Sequence, residues 1–103
     1  SVKYLDNMFN GCKSLITLDV RNFKSSNAYT AKEMFKDCSK LSSLDLSEFE
    51  LNTQHFSSMF YNCQSLTSLN LSKFKTSLIE DMSNLFYNCN IFRRRYKFIS
   101  WRA

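Results

Sequence analysis

Four cysteines are the residues best able to do chemistry in this chain, and their spacing is nearly constant. They are Cys12, Cys38, Cys63 and Cys89. Each closes a five-residue stretch that is nearly repeated: MFNGC, MFKDC, MFYNC and LFYNC. A zinc site would need ligands about two to four residues apart, or a histidine nearby, and neither occurs.

Disulfide bonds are the second chemistry open to these cysteines. Stacked repeats can bring neighbouring cysteines within bonding distance. A position that recurs in a parallel stack rarely points two side chains at each other, however. We therefore predict four reduced, buried thiols that pack as small apolar groups and are chemically inert.

The remaining residue types used in catalysis form no recognisable arrangement. His55 is the only histidine, and because it precedes Phe56 in a predicted helix we expect it to face solvent. The sequence has no glycine-rich phosphate loop, paired-carboxylate site or nucleophile–base motif. We therefore expect no enzyme activity, no cofactor and no metal.

Positive charge is concentrated at the carboxyl end. Residues 1–92 hold nine acidic and nine basic side chains, so the whole +5 comes from Arg93, Arg94, Arg95, Lys97 and Arg102. Residues 1–92 should therefore not attract nucleic acid, and one short basic run at the carboxyl end does not indicate a specific nucleic-acid site. No apolar run reaches the roughly 18 residues of a membrane span.

The apolar residues before each cysteine predict the element that carries it. They stand seven, four and three positions ahead: Leu5/Met8/Phe9, Ala31/Met34/Phe35, Phe56/Met59/Phe60 and Met82/Leu85/Phe86. With the cysteine, this is the spacing of the inward stripe of an amphipathic helix. The residue just before each cysteine tolerates a left-handed backbone and should end the helix; these residues are Gly11, Asp37, Asn62 and Asn88. Thr30-x-x-Glu33 and Ser77-x-x-Glu80 are capping-box patterns at helix starts.

A short strand is predicted after each of the first three cysteines. The pattern L-x-x-L-x-L (with Val20 as the last member of the first copy) covers residues 15–20, 41–46 and 66–71, and its alternating part suits a strand with one buried face. The cysteines recur every 25 or 26 residues, and one short helix with one parallel strand in each repeat of this length is typical of an α/β leucine-rich-repeat solenoid.

One well-preserved copy carries a family resemblance. The pattern MFxxCxxLxxLDLSxFxT, nearly intact from Met34 through Thr53, resembles the BspA-like leucine-rich-repeat surface proteins over about residues 1–92. The resemblance implies a helix-plus-strand solenoid, a place at the cell surface or outside the cell, and adhesion to host or matrix proteins.

The outward face of the strands is the candidate binding site. Solenoids usually bind through their concave face, which here would present Thr17, Asp19, Arg21, Ser43, Asp45, Ser47, Ser68, Asn70 and Ser72. Asp19 and Asp45 on adjacent repeats should repel unless water, a cation or a basic group of a partner intervenes. The partner would be another protein: a host protein, a matrix protein or a further copy of this chain joined end to end. Two alternatives stay open, namely that these polar groups only keep the sheet soluble and that the chain is a structural spacer of a longer solenoid.

The repeat pattern fails near the carboxyl end. Counted from Cys89, two positions that should hold leucine hold Arg95 and Lys97, and charges are costly to bury. A shift by one residue would instead place Tyr96 and Phe98 inward and the charges outward, where they protect a terminal strand.

The chain is therefore divided into two parts. Residues 1–92 form the repeat body, with about three full repeats and a partial fourth. Residues 93–103 form a basic, aromatic segment that is either a cap, a disordered tail or an unrelated end.

Overall fold

The computed structural model describes residues 3–24, 27–52, 55–67, 69–71, 73 and 84–90, and the backbone of 99–101. Within these ranges the chain forms four short strands, β1 (Thr17–Asp19), β2 (Ser43–Asp45), β3 (Leu69–Leu71) and β4 (Ile99–Trp101). β1 pairs with β2 and β3 pairs with β4, both in parallel, and β3 lies beside β2. The first three strands lie inside the predicted L-x-x-L-x-L segments but are shorter than those segments.

The fold-class prediction is wrong, because the segments expected to be helices are turns. The described residues contain no α-helix. Left-handed backbone occurs not only before the cysteines but also one turn earlier, at Asn7, Glu33 and Ser58, with φ of 60°, 57° and 56°. Such residues are not tolerated inside a right-handed helix. The chain is therefore not a leucine-rich-repeat solenoid of one helix and one strand per repeat.

The backbone just before each cysteine is left-handed, as the residue types predict. Gly11, Asp37, Asn62 and Asn88 have φ between 56° and 77°. Each follows a turn rather than a helix: the amide of Cys38, for example, donates to the carbonyl of Phe35 at 3.2 Å.

Hydrogen bonds between successive repeats hold these turns. We call residues 5–12, 31–38, 56–63 and 85–89 the turn segments. The amide of Phe9 donates to Met34 O at 2.9 Å, and that of Phe35 donates to Met59 O at 2.9 Å. In an α-helix these amides would donate to carbonyls of their own segment, whereas here the acceptors lie in the next repeat.

The capping-box prediction at Thr30 is also wrong. The Thr30 hydroxyl donates to Asp6 Oδ1 at 2.7 Å, and the Lys32 amide donates to the same oxygen at 2.7 Å. The side chain of Thr30 therefore ties one repeat to its neighbour, and Glu33 has a left-handed backbone that no helix start would contain. The second pattern, at Ser77 and Glu80, lies outside the described residues.

Stacked phenylalanines form the centre of the core. The rings of Phe9, Phe35, Phe60 and Phe86 follow one another at 5.5, 5.9 and 5.6 Å, with planes within 5° of parallel. Phe35 and Phe60 have no exposed surface. Because each ring covers the next, the residues predicted to face inward are buried in the second and third turn segments even though they do not lie on a helix, whereas in the first segment Met8 is exposed and the prediction is wrong for it.

β4 takes up an unexpected register. Its Trp101 pairs with Leu71 and its Ile99 with Leu69. Continuation of the repeat spacing would have placed Lys97 beside Leu71, and the predicted shift would have placed Phe98 there. The register of the described strand therefore differs from the one-residue shift, since Trp101 and not Phe98 is the partner of Leu71. Tyr96 and Phe98 themselves lie outside the described residues, as does the rest of 91–98.

Candidate binding face on the strands

The strands place the predicted polar residues on one surface, because side chains alternate along a strand. Leu18 and Leu44 point toward the core, while their neighbours are exposed. We call the outward side chains of β1 to β3 and the residues just after them the strand face. Its described members are Thr17, Asp19, Arg21, Ser43, Asp45, Ser47 and Asn70; the predicted Ser68 and Ser72 lie outside the described residues.

Asp19 is neutralised by a partner from its own repeat. The Arg21 guanidinium donates to both carboxylate oxygens, with Nε to Oδ1 at 2.9 Å and Nη2 to Oδ2 at 2.7 Å. The Arg21 amide also donates to Oδ1 at 3.0 Å. The side-chain hydrogen bond from Arg21 lowers the pKa of Asp19 to about 2, so this carboxylate is charged at all physiological pH values.

Among the described residues, the groups that donate hydrogen bonds to the Asp45 carboxylate are neutral. Ser47 donates its amide at 3.0 Å and its hydroxyl at 2.6 Å to Asp45 Oδ1. These hydrogen bonds lower the pKa of Asp45. Among the described residues, no lysine or arginine forms an ion pair with it.

The repulsion expected between acidic side chains on successive strands is reduced in two ways. Asp19 and Asp45 are register partners, and Arg21 offsets the charge between them, since it also lowers the pKa of Asp45. The corresponding residue of the third strand is Asn70, which carries no charge. Sequence reasoning missed Arg21 as the intervening base, although the Asp-x-Arg spacing at the end of a strand was the available signal.

A shallow cavity opens on the strand face between β2 and β3. It has a volume of about 290 Å³, and its polar lining includes Ser43, Asp45 and Asn70. Leu44 and Leu69 form the apolar part of its wall. The cavity was not predicted, because the spacing between two strands is not a property of either sequence segment.

The cysteines are unpaired, as predicted, and three of the four are buried; the prediction of burial is wrong for Cys12. Cys38, Cys63 and Cys89 are at most 5% exposed, whereas Cys12 is half-buried. The Cys38 thiol donates to Phe9 O and the Cys63 thiol to Phe35 O, each at 3.0 Å. Burial raises the pKa of Cys38 to about 11 and raises that of Cys63 further, so these thiols are poor nucleophiles.

His55 is exposed, as predicted. Among the residues that the structure describes, no three His, Cys, Asp or Glu side chains are grouped closely enough to hold a metal ion. The same residues include no helix of the length and hydrophobicity that crossing a bilayer requires.

A row of side chains that sequence reasoning missed lies on the turn segments. The Tyr61 and Tyr87 rings stack at 4.7 Å, and Lys36 Nζ lies 5.1 Å from the Tyr61 ring centre. Tyr87 is 53% exposed. The sequence did contain a pattern that could have predicted this row: the position two residues before the cysteine holds Lys36, Tyr61 and Tyr87 in successive repeats.

The geometry defines a class of protein, a stack of short parallel repeats whose described part is free of helix and carries a polar strand face. The chain belongs to the family described as Mycoplasma protein of unknown function, DUF285, which matches residues 1–101. No curated protein and no solved structure shows a significant match.

Proposed function

We propose that this chain is a non-enzymatic protein-binding module that engages basic segments of other proteins through its strand face. The observation that carries the proposal is Asp45, a charged carboxylate with neutral partners at the wall of an open cavity. A lysine or arginine side chain from a partner would supply a compensating positive charge. Ser43 and Asn70 add polar groups that can donate to or accept from a partner backbone.

The place of action in this proposal is the cell surface. It rests on the resemblance of the repeat to BspA-like surface proteins, which implies adhesion to proteins of a host or matrix. The strand face suits such a role because its seven described members are polar and all but Ser47 are exposed.

Selection of peptides against the immobilised chain tests the proposal. A random peptide library should yield binders enriched in lysine and arginine, and Asp45→Asn should weaken them. Asparagine keeps the oxygen that accepts from the Ser47 amide and removes only the charge. The matched control is Glu48→Gln, which removes an exposed carboxylate outside the cavity and should leave binding unchanged.

Two results would contradict the proposal. Selected peptides that bind Asp45→Asn as tightly as the parent would show that the strand face is not used. A library that yields no binder at all would favour the second candidate function below.

The second candidate is a structural spacer with no recognition of its own. It is favoured by the role of the two aspartates in the backbone: Asp19 accepts the amide of Arg21, and Asp45 accepts that of Ser47. Such hydrogen bonds turn the chain at the end of a strand, which is sufficient reason for an aspartate at that position without any partner.

A further inference from the structure

The first repeat exposes apolar groups that the second repeat buries. Phe9, Cys12, Leu15, Leu18 and Phe23 are only partly buried. Their counterparts one repeat later are at most 7% exposed: Phe35, Cys38, Leu41, Leu44 and Phe49. Met8 is 40% exposed, whereas the equivalent Met34 is fully buried. We call this layer, formed by Met8, Phe9, Cys12, Leu15, Leu18 and Phe23, the amino-terminal end face.

The turn segment of this face has open backbone acceptors, because hydrogen bonds between successive turn segments run in one direction. Amides of each turn segment donate to carbonyls of the following one, as Asn7 does to Lys32 and Gly11 to Lys36. The acceptors in the later repeats are the carbonyls at alternate positions before each cysteine. Within the described residues no backbone amide donates to the corresponding carbonyls of Asp6, Met8 and Asn10. The turn segment of the end face therefore presents acceptors and needs donors.

The hydrogen bonds of the thiols also run in one direction between repeats. Each later cysteine donates to a carbonyl of the repeat before it: Cys38 to Phe9, Cys63 to Phe35 and Cys89 to Cys63. Among the described residues Cys12 has no such acceptor. A preceding layer with the same backbone path would supply one.

We propose that the amino-terminal end face is a binding surface for one more repeat unit of this same pattern. The bound unit is a polypeptide segment one repeat long that carries M-F-x-x-C-x-x-L-x-x-L-x-L and runs parallel to β1. It continues the interface that already joins the first repeat to the second, with one ring stacked on Phe9 and alternate amides donating to Asp6, Met8 and Asn10. The inference does not depend on the proposed function of the strand face.

A second copy of the whole chain is a poorer occupant than a single repeat unit. Two amino-terminal end faces placed together would oppose the turn-segment carbonyls of one copy to those of the other, and such pairs form no hydrogen bonds. At the other end, Leu85, Phe86 and Cys89 are already at most 5% exposed. Those described residues therefore present no open apolar layer to a second copy.

A fusion tests the proposal with Cys12 as the reporter. One copy of residues 30–54, carrying Cys38→Ser in the copy, is placed directly ahead of Tyr4. The copied position 38 then precedes Cys12 by the same interval that separates Cys38 from Cys63. In the parent chain a thiol reagent should label one cysteine quickly under native conditions, and Cys12→Ser should abolish that label. In the fusion the fast label should be lost and the melting temperature should rise.

The control fusion carries Phe35→Asp and Leu41→Asp in the copied unit, which should leave Cys12 as reactive as in the parent. A synthetic peptide of residues 30–54 with Cys38→Ser, added to the parent chain, is a second arm that decides the matter if the fusion fails to fold. The proposal would be overturned if Cys12 were still labelled quickly in the folded fusion. If the fusion does not fold, fast labelling of Cys12 in the parent chain with saturating peptide would overturn it. Protection of Cys12 that rises with the concentration of the parent chain alone would also overturn it, since a second copy would then cover the face.

Discussion

Left-handed residues set the backbone path of each turn segment. Glycine adopts this conformation freely, but for other residues it costs roughly 1–2 kcal/mol, less for asparagine and aspartate. Glu33 and Ser58 have neither advantage, with φ of 57° and 56°. Their conformation is maintained by the hydrogen bonds of the surrounding backbone, such as that from the Glu33 amide to Ser57 O at 3.0 Å.

Two adjacent serines provide a matched test of this conformation. Ser58→Gly should raise the free energy of unfolding by up to about 1 kcal/mol, because glycine relieves the left-handed strain. Ser57→Gly should lower it by roughly 0.5–1 kcal/mol, because Ser57 is not left-handed and glycine only adds freedom to the unfolded chain. Denaturant melts of both variants measure the difference. Equal losses at the two positions would indicate an ordinary helical or extended backbone at Ser58.

Burial of the thiols predicts a loss of stability at alkaline pH. The pKa of Cys38 rises from 9.0 to about 11 on folding, so between these values the unfolded chain releases a proton that the folded chain keeps. The contribution is therefore fully present below about pH 9 and is lost as pH rises toward about 11. The free energy of unfolding should fall with pH in this window, and less steeply in Cys38→Ala. Identical slopes for parent and variant would mean that Cys38 is accessible to solvent.

At the scale of elements, the apolar pattern identified which side chains face inward but not the backbone that carries them. Ala31, Met34, Phe35 and Cys38 are all fully buried, at the spacing of a helical stripe. A chain with two left-handed residues in each of the first three turn segments brings the same positions together. The deciding residue was Glu33, whose type gives no sign of positive φ, so the sequence could not distinguish the two paths.

The candidate face could be predicted only in part, because local sequence pattern determines which side chains point outward but not how they pack. Alternation along a strand is local, so it placed Thr17, Asp19, Ser43 and Asp45 outward correctly. The bidentate contact of Arg21 and the cavity beside Asp45 depend on how neighbouring side chains and adjacent strands approach each other. Those distances are set by tertiary packing.

The phenylalanine stack should be the most sensitive element. Phe60→Ala should lower the free energy of unfolding by roughly 3–5 kcal/mol, because it empties a fully buried site between Phe35 and Phe86. The exposed Lys40→Ser is the control and should change it by less than about 0.5 kcal/mol. Both are measured by urea denaturation. Similar midpoints for the two variants would contradict the stacked core.

At the scale of the whole molecule, the last strand pairs with one edge of β3. Deletion of residues 99–103 removes β4 from β3 and leaves the β3 backbone unpaired on that side. The melting temperature should fall, by about 4–8 °C for each kcal/mol lost. Deletion of 102–103 alone keeps the strand and should have little effect. If the longer deletion melted like the parent, the pairing of β4 with β3 would not contribute to stability.

The central claim is that hydrogen bonds join each turn segment to the next repeat instead of closing a helix within it. Scalar couplings across hydrogen bonds, measured by nuclear magnetic resonance on isotope-labelled chain, report donor and acceptor directly. The account predicts couplings from the amide nitrogen of Phe35 to the carbonyl carbon of Met59, and from Asp37 to Tyr61, since the donor nitrogen and acceptor oxygen of these pairs lie 2.9 and 2.8 Å apart. A coupling from the Phe35 amide to the carbonyl of Ala31, in the same turn segment, would show a helix and contradict the account.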